Sequence, residues 1–191
     1  MPQEDLQGLR ALVSGGSSGI GLAIARGLAQ RGAVVAITGR NAERGERAAR
    51  ELAGIRPECT FFQGDAGQPE CARECAARAA QYLGGIDVLV SSGAEGKVGP
   101  TPFADMTPQQ IAENFDSRFL ARIYPVHAAI PYLRQSERAS MILITTDAAR
   151  HPTPGESIIG AAGAAVILLT KALARELSRD RIRVNGVALT L

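Results

Sequence analysis

At 191 residues, 46% hydrophobic and 21% charged, the chain carries about one domain's worth of globular sequence, which excludes disorder and fibrous repeats. Lys+Arg 21 against Asp+Glu 19 leaves +2 with no basic block, so nucleic acid is not an indicated partner. The longest apolar stretch, Ile158–Leu169, holds two glycines and falls short of the ~18 residues of a membrane span; the opening MPQEDLQ lacks a signal peptide's apolar core, so a cytoplasmic protein without a membrane partner is expected.

Apolar runs of strand length alternate with segments of helical period. Leu9–Ser14 predicts a first strand and Ile20–Gln30 a helix. Ala33–Thr38 and Glu43–Leu52 repeat the pair, as do Thr60–Gln63 and the Ala-rich Glu70–Leu83. Asp87–Ser91 is a fourth strand, followed by a Gly/Pro loop, Gly93–Pro102, and helical segments over Pro108–Arg134, bent near Pro125. Met141–Thr145 is a fifth strand, His151–Gly155 a loop, Glu156–Ser178 a helix and Arg183–Leu189 a sixth strand. Strands joined by helical crossovers pair in parallel, so this pattern predicts an α/β fold: a doubly wound parallel sheet of six strands in the order 3-2-1-4-5-6, with helices on both faces. Cys71 and Cys75, four residues apart, share a helix face, but no histidine or second pair accompanies them. They read as semi-buried reduced thiols, in keeping with the cytoplasm, and no metal is expected.

The segment Val13-Ser14-Gly15-Gly16-Ser17-Ser18-Gly19-Ile20-Gly21 follows the first strand and opens the first helix. In that position glycines have a mechanism: Gly15 permits a tight turn, Gly19 lets backbone N–H groups approach a pyrophosphate, and Gly21 allows close helix–sheet packing. The helix N-terminus stabilises the anion. Gly15, Ser17, Ser18, Gly19, Ile20 and Gly21 are thus the expected phosphate-side contacts, and residues 1–191 a single dinucleotide-binding domain. At the end of the second strand, Gly39 stands where an NAD-selective protein places an acid, and Arg40 offers a guanidinium for a 2′-phosphate, so NADP is expected over NAD.

These residues resemble the short-chain dehydrogenase/reductase (SDR) family, whose Thr-Gly-x-x-x-Gly-Ile-Gly motif is matched with Ser14 in place of Thr. The resemblance runs the length of the chain. Gly64-Asp65 is similar to the family's adenine-contacting aspartate, Asp87-Val88-Leu89-Val90 to its fourth strand, and Leu173–Leu177 with Arg183-Val184-Asn185 to its last long helix and sixth strand. It implies a Rossmann-type sheet, Ser92 and Gly93 beside the cofactor, a small-molecule substrate, and hydride transfer between nicotinamide and a carbonyl or alcohol carbon.

The family's catalytic tyrosine and lysine fall on Ile159 and Gly163, and Tyr82, Tyr124 and Tyr132 lie in other segments. The serine position falls on Thr146, which keeps a hydroxyl, and the asparagine position near Arg118. Ser91-Ser92-Gly93-Ala94 replaces Asn-Asn-Ala-Gly, and Leu189-Thr190 replaces a Pro-Gly. Thr146, Arg118 and Glu156 are therefore the candidate catalytic residues: Thr146 to orient oxygen, Arg118 to stabilise an oxyanion or bind a carboxylate, Glu156 to share the face of Ile159. Plainer readings stand beside these. Glu156 complements a helix dipole, Arg118 and Asp147 form a structural ion pair, and His151 and His127 are ordinary loop and helix residues.

A catalytically silent dinucleotide-binding subunit or redox sensor, and a non-redox lyase or isomerase, are the alternative functions. The run Gly160–Ala165 allows another helix or the sheet to approach closely; with the family's habit of pairing its last two long helices, it predicts a homodimer or homotetramer through residues 115–134 and 156–178. Family members continue past the sixth strand with a substrate-covering segment, so the sequence is expected to be truncated at Leu191, leaving that strand an unpaired edge.

Overall fold

The computed structural model describes residues 5–93 and 98–190. Ala94 and Leu191, both invoked above, lie outside the described residues. Among the described residues six strands and five α-helices alternate: β1 (Arg10–Ser14), α1 (Gly19–Gln30), β2 (Val34–Gly39), α2 (Ala42–Ala53), β3 (Thr60–Gln63), α3 (Pro69–Leu83), β4 (Val88–Ser91), α4 (Pro108–Leu133), β5 (Ser140–Thr146), α5 (Ser157–Glu176) and β6 (Arg183–Leu189). They form one sheet in the order β3-β2-β1-β4-β5-β6, every pairing parallel. The expected architecture is the observed one.

Successive strand residues point to opposite faces, and this divides the core in two. Leu12, Leu89, Met141 and Leu143 meet α3, α4 and α5 through Ala76, Val126, Leu133 and Val166. Ala11, Val13, Val35 and Ile37 meet α1 and α2 through Ala25, Ala29, Ala48 and Leu52. Small residues on the helices let them lie close to the sheet, while branched residues fill the strands.

The N-terminal edge of the sheet is tied by Asp87. Its carboxylate accepts from Arg10 Nε (2.9 Å), Arg10 Nη2 (2.6 Å), the Arg10 backbone N–H (3.0 Å) and Ser136 Oγ (2.6 Å). Burial alone would raise the Asp87 pKa; the hydrogen bonds from Arg10 and Ser136 outweigh it and hold the carboxyl at about 2.

At the C-terminal edge, α4 begins in a capping box: the Gln110 N–H donates to Thr107 Oγ1 (3.2 Å), and the Thr107 N–H donates to Gln110 Oε1 (2.9 Å). Instead of separate segments, α4 is one helix through Pro125 and Pro131. Packing explains the difference: Pro125, Val126 and Ala129 are buried, and the Ser91 hydroxyl donates to the Arg122 carbonyl at 2.7 Å, pinning the helix to the end of β4.

The segment Ser157–Asp180 is long and apolar enough to cross a membrane by length and composition, more so than Ile158–Leu169 alone suggested. Its Ile159, Ala162, Val166 and Thr170 side is buried on the sheet, and its outer side carries Lys171 and Arg175.

Candidate functional site

The turn from β1 into α1 stands at the C-terminal edge of the sheet, where such folds bind ligands. Gly15 adopts φ +76°, a region unfavourable to residues with a Cβ, and its N–H and that of Gly16 both donate to the Thr38 carbonyl at 3.1 Å. Those two amides hold the turn. The amides left for an anion are those of the first turn of α1: Ser18, the N-cap, makes no side-chain cap, and no acid lies in that turn. Gly19 has φ +53° with open space where its Cβ would stand, so an anion can approach the backbone there. Gly21 differs from expectation. Its missing Cβ is filled by the Gly15 carbonyl, so it seats α1 on the turn itself rather than on the sheet. A Cβ on Gly15 would lie 2.5 Å from Gly93 Cα, which brings the turn against Ser92–Gly93 after β4.

At the end of β2, a Cβ on Gly39 would stand 2.5 Å from Ser17 Oγ. A side chain at 39 would have to displace the Ser17 hydroxyl. Arg40 is exposed, and its carbonyl accepts from Gln63 Nε2 at 3.0 Å. Asp65 follows β3 with Oδ1 accepting from the Gly67 N–H at 2.8 Å, which fixes the carboxylate at one wall of a narrow crevice. Ser14, Thr38, Ala66 and Cys71 line the same crevice, and the buried Ser14 hydroxyl has no hydrogen-bond partner there. An open helix N-terminus and a cradle that side chains would fill together fit a dinucleotide's phosphates. Cys75 is buried, which raises its thiol pKa and makes it a poor nucleophile.

At the other half of the edge, β5 runs into a 3-10 turn, Asp147–Ala149, and then α5. Thr146 is half-buried, its Oγ1 accepting from the Ala148 N–H at 3.3 Å. A Cβ on Gly163 would meet Thr146 Cγ2 and Ala149 Cβ at 2.9 Å and Thr145 Oγ1 at 3.0 Å; one on Gly160 would meet the Ala148 carbonyl at 2.5 Å. The glycine run thus brings α5 against the end of β5, and packing occupies the room a lysine at 163 would need. Ile159 is buried. A cavity of about 560 Å³ opens between this turn and α5, with Pro152, Thr153, Glu156 and Ala164 in its wall.

Arg118 on α4 donates through Nε to Asn114 Oδ1 (2.6 Å) and through Nη2 to the Val98 carbonyl (3.1 Å). Burial lowers its pKa, and the charge of Glu156 partly restores it. Arg118 does not pair with Asp147, which lies 3.8 Å from the exposed His151 instead. One turn further along α4, Arg122 turns back so that Nη1 donates to the Arg118 carbonyl. Burial, then the Arg118 charge, push Arg122 down to about 10. Asn114 and Arg122 were not anticipated from sequence. Their spacing with Arg118, polar residues every fourth position on a helix facing the sheet, was the signal available. Among the described residues no group of three or more His, Cys, Asp or Glu could hold a metal.

The sequence model of the short chain dehydrogenase family matches residues 10–191. Human dehydrogenase/reductase SDR family member 4 is 34% identical over 180 residues, 93% of this chain and 64% of its own length. A Burkholderia cenocepacia short chain dehydrogenase in complex with NADP superposes with a TM-score of 0.87 at 36% identity, covering 96% of this chain and 74% of that one. The NADPH-bound short chain oxidoreductase of Pseudomonas aeruginosa, described as containing an atypical catalytic center, gives 0.89 at 32% identity, covering 95% and 70%. The chain spans 64% of the length of the first curated relatives it matches.

Proposed function

The chain belongs to the short-chain dehydrogenase/reductase family, and from that membership we propose that it binds NADP(H) and acts as an oxidoreductase on a small carbonyl or alcohol substrate through a non-standard set of side chains. The observation that carries the reading is the phosphate cradle: α1 has no side-chain cap, Gly19 leaves its approach open, and Gly39 brings Ser17 against the end of β2. Gly15, Ser17, Ser18, Gly19, Ile20 and Gly21 would hold the diphosphate, with Ser92 and Gly93 behind it. Arg40 would take the 2′-phosphate and Asp65 the adenine. When bound, the nicotinamide supplies or accepts the hydride.

The chain's own residues do the rest. Thr146 orients the substrate oxygen. Arg118, a permanent cation under physiological conditions, stabilises the negative charge that hydride transfer places on that oxygen, and the Glu156 carboxyl, in the tyrosine's place, would give that oxygen its proton and regain one from solvent. Removing an oxyanion donor costs ~10²–10³ in rate, so Thr146→Ala is expected to cut kcat while leaving NADPH binding intact. Unchanged turnover would remove Thr146 from the mechanism. NADPH fluorescence on binding, then absorbance at 340 nm across a carbonyl panel, tests the whole reading. Tight binding without oxidation of the cofactor assigns the chain instead to a silent dinucleotide-binding subunit, a role the packing at Gly163 would suit.

The three cysteines are free, which suits a reducing compartment such as the cytoplasm. We also place a homo-oligomer contact on α4 and α5, whose outward surface includes Ala161, Ala164 and the 69% exposed Leu168.

A further inference from the structure

Cys71 and Cys75 stand one turn apart on the same side of α3, and both line the narrow crevice that also holds Ser14, Thr38 and Asp65. Gly64, just after β3, brings them together. A Cβ there would sit on Cys75 Sγ and lie 3.9 Å from Cys71 Cβ, so the two cysteines converge on space that a side chain at 64 would fill. Cys75 is buried, and its thiol donates to the Gln63 carbonyl at 3.7 Å; Cys71 is partly exposed.

The start of α3 has a weak cap and is tied to Asp65. Gln68, the N-cap, makes no side-chain cap, and Pro69 has no N–H to donate. Asp65 accepts from the Gly67 N–H through Oδ1 (2.8 Å) and from the Gln68 N–H through its carbonyl (3.0 Å). Residues four apart on a helix keep their Cβ atoms ~5–6 Å apart, whereas a disulfide needs ~3.5–4.5 Å. Joining Cys71 to Cys75 therefore has to tighten the first turn of α3 by about 1–2 Å. The turn from Asp65 to Gln68 leads straight into that segment and moves with it.

We propose that Cys71 and Cys75 are a redox-modification site, at which hydrogen peroxide joins them in a reversible disulfide that weakens dinucleotide binding through Asp65. The Cys71 sulfur attacks one peroxide oxygen as its thiol proton leaves. The O–O bond breaks, and the departing hydroxide takes up that proton as water. Cys75 then attacks the sulfur of the Cys71 sulfenic acid, forming the S–S bond and releasing a second water. Two electrons pass from the sulfurs to the peroxide, and a thiol reductant returns them. Disulfides of this transient, sensing kind are the ones that cytosolic proteins carry. The effect on the cofactor rests on the proposed role of Asp65 at the adenine; the bridge itself does not.

The test treats reduced protein with hydrogen peroxide and digests it with trypsin in the absence of reductant. Trypsin cuts after Arg73, so a bridge holds residues 74–78 to the peptide carrying Cys71 until dithiothreitol releases them. That peptide also carries Cys59, and the map of Cys59→Ser is expected to keep the bridge. Oxidation should weaken NADPH binding by about 5-fold or more, with recovery on reduction. Cys75→Ser should lose that response to peroxide, and Cys59→Ser should retain it. Absence of the bridge overturns the inference, as does a Cys71 that runs on to sulfinic acid while Cys75 stays free. So does a bridge that leaves NADPH affinity as it was, or a Cys75→Ser protein that still responds. If the reduced protein fails to bind NADPH, the oxidoreductase reading and the coupling fall together, and the peptide map still decides whether Cys71 and Cys75 join.

Discussion

Gly163 is read from the sequence as the family's lysine position, and its environment says more than its identity. Three neighbours stand within about 3.0 Å of where a Cβ would be, two of them on Thr145 and Thr146. Restoring the familiar pair by Ile159→Tyr with Gly163→Lys is therefore expected to overpack the end of β5, lowering stability by about 1–3 kcal/mol without raising turnover. Urea unfolding and the 340 nm assay check both halves. At position 39 the neighbour is Ser17 Oγ. Gly39→Asp should weaken NADPH binding by more than ~10-fold through clash and charge, and Arg40→Ala should erase the preference over NADH; titrations of both cofactors read the two outcomes. Gly39 and Arg40 were legible because absence of an acid is visible in a sequence. The closing of position 163 was not, since it depends on how near α5 lies to β5, a distance set by Gly160 and Gly163 together.

Among the elements, α4 was readable from Thr107-Pro108 and its period, whereas its passage through Pro125 was not. A proline withholds one helical hydrogen bond, and burial of the surrounding face decides whether the helix continues. Asp87 gives the sheet a pH signature. Its folded pKa of about 2 lies below the ordinary 3.8, so its contribution is complete above pH 3.8 and is lost as pH falls toward 2. The difference corresponds to roughly 2 kcal/mol. Asp87→Asn should flatten the stability-versus-pH curve in that window and lower stability at neutral pH, as seen by urea unfolding at a series of pH values. Thr107→Ala, which removes one side of the capping box, should cost about 1 kcal/mol by the same measurement.

For the molecule as a whole, alternation of six apolar runs with helical segments was enough to give the strand order, because parallel pairing and right-handed crossovers leave few arrangements. The residues proposed for catalysis were reached only through the family resemblance, for Thr146, Arg118 and Glu156 lie on or beside three different elements and share no local motif. Oligomerisation belongs to this scale. Sedimentation at micromolar concentration is expected to give a multiple of the single-chain mass, and Leu168→Glu on the outer face of α5 to shift it toward the monomer. A single-chain mass for the unaltered protein would remove the α4–α5 contact.

The meeting of Gly15, Gly21 and Gly93 has a bearing on how this protein can be changed. Main chain touches main chain at Gly15 and Gly21, and at Gly93 the Gly15 backbone stands beside the Ser14 hydroxyl. The β1–α1 turn and Ser92–Gly93 therefore pack as one piece. Selection or engineering aimed at a bulkier substrate has no slack to draw on there, and variation that preserves cofactor binding should collect on the α5 side and in the 148–157 turn.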